Sequence, residues 1–232
     1  MDSPEKRPPA SGWPGRAWSR IRFRWFTKMA GTVVFMAAFF IGYFWLLGHP
    51  RYPLTTVPRT FVDRLVPFQP AALALYVSLW VYAPLAPALL RTGREMWSYA
   101  AAAVALSLAG FAVFFLWPTT VPKPEVYPSP VGPVSFLKAV DASGNAFPSL
   151  HVAFAVFSAL WIGRLLREMD AGGLARALNW AWCIGIIYST LAIRQHVALD
   201  ALSGAALGAA AAVLHMRILR GRPGGAPAPA AS

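Results

Sequence analysis

The chain has 232 residues, of which 57% are hydrophobic and 13% charged, against about 25% charged in an average soluble domain. Uncharged apolar runs recur along it, so the composition excludes a soluble globular enzyme and points to an integral membrane protein. The net charge of +12 does not indicate nucleic acid as a partner, because the basic residues sit in short loops and tails between apolar runs, as membrane topology signals do.

Residues 1–28 form a basic tail containing Trp13, Trp18 and Trp25. It either lies along the inner headgroups or is an unstructured leader. Six apolar runs follow, at residues 29–48, 71–90, 96–117, 149–163, 177–193 and 197–216. A helix needs about 20 residues to cross a bilayer. The fourth run is short, so it starts earlier or extends past Arg164, whose charged head would snorkel. The first run is too long for a signal-peptide core, and His49-Pro50-Arg51-Tyr52 offers no small-residue cleavage site.

Placing the N-terminus inside leaves only Arg51, Arg59, Arg64, Lys123, Lys138 and Arg194 outside, of 21 Lys and Arg in all. That asymmetry sets the orientation. The expected fold is an all-α bundle of six transmembrane helices over residues 29–217, with both termini cytoplasmic. The tail at 218–232 is Gly-, Pro- and Ala-rich and is expected to be disordered. The single cysteine, Cys183, lies in an apolar run, so neither a disulfide nor a zinc site can form within the chain.

Of the outer segments, 49–70 contains Thr60-Phe61-Val62-Asp63-Arg64-Leu65-Val66, which reads as a short interfacial helix. The segment 118–148 carries prolines at 118, 122, 124, 128, 130 and 133 and is stiff and extended; it is a spacer or a cover that positions substrate. In the last run Gly204 and Gly208 form a GxxxG. Packing against another helix of the same chain is the expected use, with a homodimer as the alternative.

Two clusters carry the chemistry, Asn145-Ala146-Phe147-Pro148-Ser149-Leu150-His151 and Arg194-Gln195-His196-Val197-Ala198-Leu199-Asp200. Each puts a histidine where an apolar run begins, on the outer side. An ionisable residue at membrane depth is expensive and is a functional candidate by default. His196 and Asp200 are expected one helical turn apart on one face. The carboxylate would fix the imidazole tautomer and leave the other nitrogen free to attack phosphorus. His151 is then the acid that protonates the leaving oxygen. Pro148 fits a first helical turn. Two helix N-termini brought together would cradle an anion, with Ser149, Arg194 and Lys123 as candidate phosphate ligands. His49 and His215 read as structural.

These residues resemble the type 2 phosphatidic acid phosphatase superfamily. The order Pro-Ser-Leu-His, then Arg-Gln-His-x3-Asp, carries the resemblance over about residues 110–208. Phe147-Pro148-Ser149-Leu150-His151-Val152, with Ser189-Thr190 ahead of Arg194-Gln195-His196, is similar to the branch that includes inositol phosphorylceramide synthases. The resemblance implies His196 as nucleophile, Asp200 as its orienting partner, His151 as acid and Ser149 as phosphate ligand, with no metal and no cofactor. The chain departs from the broad pattern in three places. Leu116 stands where the first motif has its leading lysine, Leu150 replaces a glycine, and Thr190 replaces an arginine.

The expected function is hydrolysis of a membrane lipid phosphate or pyrophosphate at the outer membrane-water interface. The alternative within the same chemistry is phosphotransfer to a lipid alcohol, as in sphingolipid synthesis. A non-catalytic lipid-binding or transport protein on this scaffold is the alternative of another class. A CDP-alcohol phosphotransferase is excluded, because its multi-aspartate motif is missing. The Ala- and Arg-rich usage suits a bacterial inner membrane, with the site facing the periplasm or exterior.

Overall fold

The structure, a computed structural model, describes residues 12–122 and 144–221. Its helices are α1 (Trp13–Arg22), α2 (Trp25–Gly48), α3 (Phe61–Leu65), α4 (Leu73–Val77), α5 (Leu79–Ala88), α6 (Gly93–Leu116), α7 (Leu150–Glu168), α8 (Gly173–Ala192) and α9 (Ala198–Gly221). Five stretches are long and apolar enough to cross a membrane: Trp25–Gly48, Pro70–Ala88, Gly93–Leu116, Leu150–Glu168 and Ala198–Leu219. The chain is therefore a multi-pass integral membrane protein. The fifth expected run falls on α8, which is not among the five. It carries Arg176 and the buried Asn179, which donates to the Ala159 carbonyl and accepts from the Tyr82 hydroxyl.

Helix α7 is the centre of the bundle. Most of its residues are buried, and it packs on α5, α8 and α9. It runs past Arg164 to Glu168; Arg164 bonds to Glu168 at 2.9 Å and lies over the Trp161 ring. Contact with α9 is backbone to backbone. A Cβ on Gly204 would fall on the Ser149 carbonyl, and one on Gly208 on the Ala153 carbonyl. The glycine pair thus serves packing within the chain, as a small-residue seam between membrane helices does.

Three boundaries differ from the sequence reading. The first span starts at Trp25 rather than residue 29, because the charge of Lys28 is satisfied inside the protein. Its Nζ donates to the carbonyls of Arg20, Ala88 and Leu90 at 2.6, 2.7 and 2.9 Å. The second span is broken into a 3-10 turn (Pro70–Ala72), α4 and α5. The Ser78 hydroxyl donates back to Leu75 O at the break, and Pro84 and Pro87 lie inside α5, both recognised causes of bent helices. The last helix continues through Gly221, so the expected tail begins inside it; residues 222–232 lie outside the described residues.

The tail ahead of α2 is helical from Trp13, and it is bolted to the end of α7. Arg16 donates to Met169 O, and Arg20 pairs with Glu168 at 3.5 Å. On the opposite side of the molecule the chain is not purely helical. Strands β1 (Thr55–Thr56) and β2 (Thr119–Thr120) pair in parallel, and Thr119 bridges to Asn145. Pairs of threonines are too short to show a strand period in sequence, yet they stitch three segments between the long helices together.

Candidate active site

The segment leading into α7 is held by that small sheet. Phe147 N–H donates to Thr119 Oγ1 at 2.8 Å, and Asn145 Nδ2 donates to Tyr43 O at 2.9 Å. Pro148 lies just before the helix rather than in its first turn, and Ser149 is the N-cap. The buried Ser149 hydroxyl accepts from Val152 N–H at 3.2 Å, satisfying one of the donors a helix start leaves open. Ser149 N–H donates to Asp200 O at 3.0 Å, so the starts of α7 and α9 do converge.

His151, the second residue of α7, is buried. Its ring lies flat on Tyr76 at 4.0 Å between centroids and 7° between planes, with Trp80 edge-on at 5.9 Å. These two aromatics hold the imidazole, while its Nε2 is buried and has no hydrogen-bond partner.

His196 lies ahead of α9, not inside it. The turn out of α8 is tight. Gln195 N–H and His196 N–H both donate to Thr190 O at 3.1 Å, and Arg194 adopts a left-handed φ of 62°. The i,i+4 relation to Asp200 survives this change: Asp200 Oδ2 stands 3.5 Å from His196 Nδ1. That is longer than a formed hydrogen bond, and sites without substrate are often loose in this way. Asp200 is fully buried. Its Oδ2 accepts from Val197 N–H at 3.1 Å and its Oδ1 has no partner.

The remaining site candidates are placed less simply. The Arg194 guanidinium donates to the carbonyls of Asp63 and Val66 at 2.7 and 2.8 Å, bracing the segment that carries α3. Lys123 lies outside the described residues, as does most of the Pro-rich segment. The expected cradle of two helix N-termini is also altered, because Val197 N–H and Ala198 N–H are already held by Asp200 and Asp63.

Asp63 is the residue that sequence reasoning missed. The expected short helix is there, and Asp63 Oδ2 accepts from Thr60 N–H and Oγ1 at its start. Its other oxygen accepts from Ala198 N–H at 2.8 Å, and its carbonyl accepts from Arg194. One buried carboxylate residue therefore fixes the chain on both sides of His196. The Thr-x-x-Asp spacing signals a capping box but not the second, long-range bond.

His151 and His196 line one cavity of about 490 Å³, which also touches Tyr43, Tyr76 and Asn145. The arrangement offers two imidazoles and a carboxylate at the edge of an apolar space. That suits transfer of a group carried by a lipid. Searches of curated proteins and of solved structures returned no match. The family model described as PAP2 superfamily matches residues 95–223, which include both histidines and Asp200. With more than half of its length matched, the chain belongs to the PAP2 superfamily, a membrane family of phosphatases and phosphotransferases.

Proposed function

We propose that the protein is a membrane lipid phosphatase that works through a phosphohistidine and needs no metal. The observation that carries this reading is a set of buried polar atoms without hydrogen bonds, His151 Nε2 and His196 Nδ1 on residues that line the cavity, and Asp200 Oδ1 on the carboxylate beside His196. Buried polar atoms are nearly always paired, and exceptions call for a reason.

In this reading His196 Nε2 attacks the phosphorus of a lipid phosphate or pyrophosphate. The new N–P bond forms as the P–O bond to the leaving group breaks. Asp200 closes on Nδ1–H, holds the tautomer and stabilises the positive imidazole. His151 gives its proton to the departing oxygen. Water then attacks the phosphohistidine, His151 takes the proton, and inorganic phosphate leaves. Arg194 and Lys123 are proposed to neutralise phosphate oxygens as charge builds, with the Ser149 hydroxyl as a further ligand. Six spans over 29–217, counting α8, would place both termini in the cytoplasm and the histidines at the outer interface of a bacterial inner membrane. The form of the motif at Phe147–Val152 favours a second reading, in which a lipid alcohol replaces water and the product is a phospholipid.

The test is product analysis on purified protein in lipid micelles with EDTA, beside His196→Ala. Phosphatidate, a prenyl pyrophosphate and a phosphodiester lipid are supplied with and without ceramide or diacylglycerol. Free phosphate that needs His196 but no acceptor supports the phosphatase. A new phospholipid that appears only with acceptor supports the transferase. No product dependent on His196 overturns both and leaves lipid binding without catalysis.

A further inference from the structure

The cavity reaches from the histidines as far as Lys28, and at the histidine end two aromatic side chains close on the His151 ring. Tyr76 lies against its face and Trp80 against its edge. An imidazole turns about its side-chain torsions, and Nε2 has no hydrogen bond to fix its direction. A general acid works only with its proton aimed within hydrogen-bond reach of the departing oxygen. A parallel ring at 4.0 Å fixes the plane in which that nitrogen lies.

Tyr76 is itself held from α8. It is the last but one residue of α4, just ahead of the break at Ser78. The Ser78 hydroxyl donates to Leu75 O and accepts from the indole N–H of Trp182 at 2.9 Å. Ahead of α4, Gln69 N–H donates to Ala192 O at 2.9 Å. Between these two ties Tyr76 packs on the cluster of Ala72, Ala192 and Ile193. Ile193 is where α8 ends and the turn toward His196 begins. The break in the second span thus presents a tyrosine to His151 from a base shared with His196.

We propose that Tyr76 is a positioning residue for the leaving-group acid: its ring sets the plane of His151, and through α4 it sets that plane relative to His196. This role rests on the reading of His151 as acid, which the phosphatase and the transferase share. As the bond from phosphorus to the leaving oxygen breaks, the proton passes from His151 Nε2 to that oxygen and the imidazole is left neutral. Tyr76 gives and takes nothing in this step, so its ring is needed and its hydroxyl is not.

The experiment compares a poor leaving group with a good one. The alkoxide released from phosphatidate needs a proton, whereas p-nitrophenolate leaves p-nitrophenyl phosphate without one. The readout is kcat/KM in detergent, which covers the chemistry through cleavage of the P–O bond and not the later release of phosphate from His196. The proteins are wild type, His196→Ala, His151→Ala, Tyr76→Leu, Tyr76→Phe and Trp182→Phe. Tyr76→Leu should lose about thirtyfold on phosphatidate and less than about threefold on the aryl phosphate. Tyr76→Phe keeps the stacked ring and should stay within about twofold of wild type on both. Trp182 does not line the cavity, so it can reach the reaction only through the fold. Trp182→Phe should show the same split at about fivefold, and it serves if Tyr76→Leu does not fold. Equal losses on the two substrates, no loss in the folded variants, or a Tyr76→Phe as impaired as Tyr76→Leu overturns the positioning role and leaves His151 as the acid. No split in His151→Ala overturns the acid reading and the role of Tyr76 with it. No release dependent on His196 from either substrate overturns the phosphatase reading itself.

Discussion

The two ends of the membrane-embedded cavity treat buried polar groups in opposite ways. At the Lys28 end every proton of a buried ammonium meets a carbonyl, one from α1 and two from the end of α5. At the histidine end, His151 Nε2, His196 Nδ1 and Asp200 Oδ1 are buried without partners. A saturated buried charge is a fastener: it fixes α1 and the end of α5 to α2, and it has nothing left to offer a ligand. Unsaturated buried groups are held in reserve for something that arrives. The difference separates architecture from chemistry inside one cavity.

Substitutions at the two ends should therefore fail differently. His196→Ala should lower turnover by about 10⁴-fold or more while the protein still melts as wild type does. Asp200→Asn keeps the shape but loses the charge that supports the imidazole, and turnover should fall about 10²-fold. Asp63→Ala should lower kcat about tenfold with KM little changed, because the loop carrying His196 loses its tie through Ala198 N–H and keeps only that of Arg194 to the backbone carbonyl; equal loss in both constants would mean that Asp63 meets substrate. Lys28→Met should cost about 3 kcal/mol of stability by leaving carbonyls unpaired, measured as earlier thermal unfolding in detergent, with turnover far above that of His196→Ala. If Lys28→Met abolished turnover in a fully folded protein, the distinction between the two ends would collapse. His49, whose ring stacks on Trp45 and whose Nδ1 meets Trp45 O at 2.8 Å, should be replaceable by alanine within about 0.5 kcal/mol.

The sequence carried most of the helices, because uncharged runs of this length have few other structures open to them. It also carried both histidines and Asp200, since polar groups stand out against an apolar background. It carried less of what holds them. The place of His196 ahead of α9 depends on Thr190 O capturing two successive N–H groups, a turn that no residue pattern announces. Asp63 drew no role in the sequence because its second oxygen reaches a helix start more than 130 residues away. Arg194 was read as a phosphate ligand, and its two bonds to the carbonyls of Asp63 and Val66 add a bracing role that charge does not announce. The start of the first span was misplaced at Lys28 for a related reason. A lysine reads as the edge of a membrane unless its partners, some 60 residues downstream, are known.

The glycine seam between α7 and α9 has a consequence for how this protein can vary through descent. Positions 204 and 208 meet the carbonyls of the very turn that carries Ser149 and His151. A methyl group at either would push that turn away from Asp200, so even alanine, the mildest step in the genetic code, should be selected against. Drift can recolour the lipid-facing residues around these glycines freely, but the two helices can separate only if the turn that carries Ser149 and His151 moves with them. In a library carrying every amino acid at every position, 204 and 208 should stand out as two blank columns four apart in an otherwise permissive alanine-rich helix.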